Sequence, residues 1–373
     1  FKRLSIDMKG STVRSAMDDV VKPEAKSRIE LQNSQVMGSQ LYERSREHLL
    51  AHLARLDVLV RSYVTRARSA RQAEADFKGL YISESEIDGL LEQKIGIPSW
   101  WQDSNPSQTA ELRMTMDRLS KEIEARASFS KRNVAGLRLN KLCESFHLTP
   151  FDRDALLLAA APELDIRYER LYAYLQDDVT RKKPSIDLIL NLLCSSVQEK
   201  LEMRARFSRS APLLRSQMLT VSEDPNYPHS PLLSKYVKVD ERILNCLLDG
   251  DDLDSHLLGY AQCVTPRAGF AELSLPSEIK QRLMILVRQA ADRRTPLILY
   301  FQGGYGVGKQ STAEGLCQAL SLDLLVVDLR RLVQSDQATF ETILERAVRE
   351  AVLREAAIYY RDFDLLVTDE RRL

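Results

Sequence analysis

Residues Gly303-Gly304-Tyr305-Gly306-Val307-Gly308-Lys309 set four glycines within six positions and a lysine directly behind them. Glycine lets the main chain fold tightly enough for successive N–H groups to point inward at an anion. A helix starting at residue 309 would add partial positive charge, and Lys309 adds a full one. The run satisfies the G-x-x-x-x-G-K pattern of a phosphate-binding loop. Gly303, Gly304, Tyr305, Gly306, Val307, Gly308 and Lys309, with Gln310 and Ser311 behind them, are therefore candidate contacts for ATP or ADP. One position departs from the pattern. The residue after the lysine usually supplies a hydroxyl to Mg2+, and here it is Gln310. Ser311 lies about 100° further round the helix and is no simple substitute, so Mg2+ binding is expected to be weak or absent.

A metal at such a site also needs an acid at the end of a neighbouring strand. Asp362, after Ile358-Tyr359-Tyr360-Arg361, is the candidate. Phe363 stands where a second acid would polarise water, which argues against rapid turnover. The elements that would position these groups alternate: an amphipathic helix over 279–291, a buried strand at Leu297-Ile298-Leu299-Tyr300-Phe301, and a helix over 309–320. A strand at 324–327, a helix over 337–355 and a strand at 357–360 follow. That order predicts a parallel sheet joined by helical crossovers.

The upstream half is helical. Leu49, Leu53, Leu56, Val60, Tyr63, Val64 and Ala67 recur at steps of three and four, one stripe of a long helix. Its other face carries Arg44, Arg46, Arg55, Arg61, Arg66, Arg68 and Arg71, a solvated face or a dock for an acidic partner or nucleic acid. His48 and His52, four apart, are read as helix-surface histidines, since no Glu of a zinc hydrolase stands between them. Ser83-Glu84-Ser85-Glu86 predicts a capping box, and a helical pattern runs over 109–127. Thr149-Pro150 opens a further helix with Thr as cap and Pro in the first turn. Helices over 165–176, 186–194 and 197–207 precede two β-rich runs, 213–221 and 232–239, around the turn-forming stretch 222–231. Three helices followed by a hairpin is the order of a winged helix, with 240–248 as closing helix. Taking 186–194 as the third helix, its Ile-Asp-Leu-Ile-Leu-Asn-Leu-Leu-Cys offers no Arg or Lys to DNA, so protein contact is the better reading. Trp100-Trp101 are expected to pack back onto the helical region.

At 373 residues, with 44% hydrophobic and 28% charged residues, the chain has material for about two or three domains. Lys+Arg and Asp+Glu both number 53, so no overall basic field favours nucleic acid or anionic membranes. No apolar run reaches bilayer-spanning length, and a cytoplasmic location is expected. The five scattered cysteines fit reduced packing residues better than a disulfide framework. A start at Phe1 and a stop just after a strand-like run read as a piece of a longer chain.

Gly303 to Lys309 between strand and helix, with Asp362 after the third strand, resembles the first half of an AAA+ ATPase module. Gly79-Leu80-Tyr81-Ile82-Ser83-Glu84, Thr149 to Asp154 and Tyr168 to Asp178 resemble the N-terminal region of the ATPases encoded with bacterial extracellular contractile injection systems. That resemblance implies a mainly α chain with α/β. A 1–40 extension, a 41–130 helical region and a 131–260 winged-helix-like domain would precede a 261–373 partial AAA+ αβα sandwich with a P-loop. It implies ATP binding by a degenerate module and a chaperone-like role in assembling or loading the injection particle. Injection-system components or cargo would be the partners, and a ring would form only in a full-length chain, without membrane or nucleic acid. The alternative is a non-catalytic helical adaptor, or a winged-helix protein-interaction module with an empty loop.

Overall fold

The computed structural model describes residues 41–72, 91, 96–98, 101, 106–130, 136–224, 227–267, 269–293 and 295–368. The expected extension over 1–40, the Ser83–Glu86 capping box, the Gly79–Glu84 stretch and Trp100 lie outside them. The described residues form two compact units, 41–251 and 252–368.

In the first unit, α1 (Ser45–Gln72) is the central helix. Its apolar stripe is buried as the spacing requires, with Val64 half-buried. Around it pack α2 (Pro106–Ser130), α3 (Arg138–Phe146), α4 (Pro150–Leu164) and α5 (Arg167–Leu175). Polar ties fix its start: Tyr42 N–H donates to Ser130 Oγ at 2.9 Å, and Arg138 N–H to Ser45 Oγ at 2.6 Å. Helix α4 begins as its sequence dictates. Thr149 Oγ1 accepts from Asp152 N–H, the Asp152 carboxylate accepts from Thr149 N–H, and Pro150 stands in the first turn.

The rest of this unit holds the helices and the hairpin expected from the sequence. Ser185 bridges to Tyr236 as a stub of strand and also caps α6 (Ile186–Leu193). There follow α7 (Val197–Met203), a 3-10 turn (Arg204–Phe207), α8 (Pro212–Arg215), and the antiparallel pair β1 (Leu219–Ser222) and β2 (Tyr236–Val239). Helix α9 (Glu241–Leu247) closes the unit, and both β1 and β2 are shorter than the expected runs. Residues 213–215 are helical because Pro212 starts a turn of helix, and 232–234 form a 3-10 turn after Pro231.

The second unit is a mixed sheet in the order β3 (Ala261–Val264), β4 (Leu324–Asp328), β5 (Ala357–Arg361). The expected all-parallel sheet is corrected: β4 and β5 are parallel, whereas β3 runs antiparallel to β4. Alternate β4 residues face opposite layers. Leu324 and Val326 meet Ala313 and Cys317 of α11 (Lys309–Ala319), while Leu325 and Val327 meet Phe340, Ile343 and Ala347 of α13 (Gln337–Arg354). Burial on both faces explains why β4 reads as an unbroken apolar run. Helix α10 (Ser277–Arg293) precedes α11, α12 (Leu329–Leu332) follows β4, and α14 (Asp364–Thr368) follows β5.

The expected strand at 297–301 does not form: these residues carry no regular structure and pair with no strand. Leu299 and Phe301 pack beside Phe270, Val287 and Leu316, while Leu297, Ile298 and Tyr300 stay exposed. High β propensity makes a strand only where a ladder partner is available.

Candidate functional site

Gly306 (φ 81°) and Gly308 (φ 85°) take left-handed backbone, which a side chain would strain, and Gly308 caps α11. The turn is exposed from Gly303 to Val307. Its lysine is turned inward on its own loop: Lys309 Nζ donates to the Gly303 carbonyl at 2.8 Å. Gln310 bridges two elements. Its Oε1 accepts from Arg361 at 2.7 Å, and its Nε2 donates to Glu314 at 2.7 Å, which accounts for an amide at that position. Ser311 is exposed, and the hydroxyl of the next residue, Thr312, donates to the Gly308 carbonyl at 2.8 Å. Asp362 sits in left-handed backbone after β5, and its carboxylate pairs with Arg330 at 3.3 Å. The structure thus joins Gln310 to the end of β5 through Arg361, and Asp362 to the helix after β4.

The winged helix offers a second set of candidates. The helix before the hairpin is not 186–194 but the broken stretch from α7 through the 3-10 turn to α8, because the strand stub at Ser185 precedes α6. The expectation that placed the apolar α6 third is corrected accordingly. This stretch carries Lys200, Arg204, Arg206, Arg209 and Arg215. Two of the cations are spent internally. Lys200 donates to Asn191, to Asp187 at 3.3 Å and to the Gly96 carbonyl at 3.1 Å. Arg206 holds the fully buried Asp152 through Nε at 2.9 Å and through Nη2. Arg204, Arg209 and Arg215 are exposed and have no carboxylate partner among the described residues. Leu201 is 64% exposed on the same stretch. On the wing, Lys235 pairs with Glu223 at 2.7 Å, and Lys238 with Glu163 at 3.8 Å. Asp224 accepts from the Tyr236 hydroxyl at 3.2 Å.

The histidine reading is also corrected. His48 and His52 are 1% and 2% exposed, stacked edge to face with ring centroids 4.7 Å apart, their Nε2 atoms 3.2 Å from each other. Burial, with the Arg153 charge adding to it, lowers the pKa of His48 to about 4 and of His52 to about 2. Both are neutral core residues. Arg55, read as part of a basic outer face, is buried too and pairs with Asp154 at 2.5 Å. The face it was assigned to is partly neutralised: Arg46 meets Asp249 at 3.1 Å, and Arg61 meets Asp57 at 2.5 Å. The cysteines are free thiols, Cys194, Cys246 and Cys317 fully buried. Trp101 is half-buried, with Lys200 Nζ 6.0 Å from its ring centre.

A family model described as "Winged helix domain, variant" matches residues 33–261, more than half of the 373-residue chain. The chain belongs to that family. No curated protein and no solved structure matches it. The resemblance to AAA+ ATPases of contractile injection systems is overturned, since the match is to a winged helix and no AAA+ or injection-system signature is found. With it go the readings as an ATP-binding P-loop (Walker A) module and as a chaperone-like ATPase for an injection particle. The strand expected before the glycine pattern, from which that pattern drew its weight, is not formed. Among the described residues no helix is long and apolar enough to cross a membrane.

Proposed function

We propose that the winged-helix unit is a protein-interaction module. The observation that carries this reading is the state of the wing. A duplex-binding winged helix needs unpaired cations on wing and helix to neutralise phosphates. Both wing lysines are engaged with glutamates, and the wing adds Asp224. A phosphate backbone laid along it would meet carboxylates. The preceding stretch keeps three free guanidiniums and an exposed leucine, a combination suited to an acidic protein surface with an apolar anchor.

Fluorescence anisotropy with a labelled duplex of mixed sequence, at about 50 mM and about 200 mM salt, tests the exclusion of DNA. No saturable binding is expected at either. Salt-dependent binding lost on combining Arg204→Ala, Arg209→Ala and Arg215→Ala would replace this reading with a nucleic-acid one. A photo-crosslinking residue at position 201 tests the positive side. Adducts removed by protease and insensitive to nuclease are expected.

A further inference from the structure

Within the first unit, α1, α2 and the end of α6 line a half-open cavity of about 550 Å3. That lies in the range of roughly 300–1,000 Å3 typical of small-molecule sites. Its floor and walls include Leu59, Tyr63, Leu112, Met116 and Leu192. Its charged lining residues are three arginines, Arg55, Arg66 and Arg113, against two aspartates, Asp117 and Asp154. Arg55 is 5% exposed; its Nη2 is committed to Asp154, and its Nε–H is buried without a hydrogen-bond partner. A buried donor left without an acceptor destabilises the fold unless something accepts from it. Arg66 and Arg113 also line the cavity, and neither is paired with a carboxylate among the described residues. Arg66 donates only to the Thr109 hydroxyl at 3.4 Å and stacks over Tyr63 at 5.4 Å. Of the lining acids, Asp154 is saturated by Arg55 and Arg153, which leaves Asp117 against two free guanidiniums.

We propose that this cavity is a binding site for an amphipathic organic carboxylate, its apolar body against Tyr63, Leu112 and Met116 and its carboxylate on Arg55 Nε–H and Arg113. Guanidinium donors favour a carboxylate over an uncharged amide, because charge-assisted bonds are about twice as strong. The same chemistry is offered by a free small acid and by the C-terminal residue of a peptide. The site shares no lining residue with the exposed Leu201, Arg204, Arg209 and Arg215, so either assignment can fail alone.

The test titrates N-acetyl-L-phenylalaninate, its neutral amide, and the peptide Gly-Gly-Phe with a free C-terminus into the whole chain. Calorimetry gives the affinities, and the Met116 methyl resonance, assigned with Met116→Leu, reports on the site. The acid is expected to bind about tenfold more tightly than the amide and to move the Met116 signal, with Arg113→Gln removing most of the preference. Arg55→Lys, checked for folding by circular dichroism, keeps a charge beside Asp154 but loses the Nε–H, and is expected to weaken the acid as well. Tighter binding of the peptide assigns the carboxylate to a chain terminus, and tighter binding of the free acid assigns it to a small molecule; both sustain the site. Equal affinity of acid and amide, binding that leaves Met116 unmoved, or no binding of either acid at millimolar concentration overturns it.

Discussion

Asp152 gathers more of the first unit's order than its place in the chain implies. Its carboxylate accepts from the Thr149 backbone and hydroxyl at 2.8 Å each and from two nitrogens of Arg206, fifty-four residues away. It therefore caps α4 and pins the 3-10 turn before α8 in one contact. Truncating Arg206 leaves a buried carboxylate with half its partners, a loss of about 3 kcal/mol. Arg204→Ala, on an exposed side chain, stays within about 0.5 kcal/mol. Urea denaturation of the two variants checks the contrast. His48 and His52 set a pH dependence of definite sign. Their folded pKa values of about 4 and about 2 lie below the ordinary histidine value of 6.5, so the unfolded chain binds protons first. The stability they contribute is complete well above pH 6.5 and falls as pH drops through 6.5 toward 4 and, for His52, toward 2. Denaturation midpoints at pH 7.5, 6.5 and 5.5 should decline in that order, and His52→Gln should flatten the decline.

Among the elements, α4 and the stretch before the hairpin illustrate how local signals and tertiary demands divide the work. Helix α4 starts where its own residues say it must: Thr149 caps, Pro150 fits the first turn, and Asp152 completes the box. Thr149→Ala removes the hydroxyl acceptor and is expected to cost about 1 kcal/mol, measured as a shift in the thermal or urea midpoint. The stretch from 197 to 215 reads as one helix over 197–207, yet it is divided into α7, a 3-10 turn and α8. Ala211, held extended before Pro212, starts the last piece, while Phe207, Ala211 and Leu213 are all buried. Burying those three while Arg206 reaches Asp152 requires breaking the helix. In the second unit, Asp254 plays a comparable part. Burial would raise its pKa, but the His256 backbone N–H and the Arg346 and Arg349 guanidiniums outweigh it and hold the group at about 2.

The chain as a whole divides into two units, each with its own core. The first is built around α1, and the second around β4 between α11 and α13. A unit with its own core is expected to fold alone. Residues 28–251 produced separately should therefore show a single cooperative urea transition and retain the crosslinking behaviour of position 201. Loss of cooperativity in that piece would place part of its core in the remaining residues. The carboxylate cavity belongs to the same piece, so its occupancy should survive as well.

Helix α1, the α4 cap, the β-rich pair around 222–231 and the α/β alternation after 308 were legible in the sequence because they rest on neighbours three, four or two residues away. The winged-helix order was legible for the same reason. The sequence alone did not decide that His48, His52 and Arg55 turn inward, nor that α6 is the helix before the recognition stretch rather than that stretch itself. It could not reveal β3, a four-residue strand with no periodic signature, or deny a ladder partner to Leu297–Phe301. Nor could it assemble a cavity from residues between Arg55 and Ser195. Each of these depends on which distant surfaces meet, and a helix face or strand edge acquires its environment only when the partner that covers it is in place.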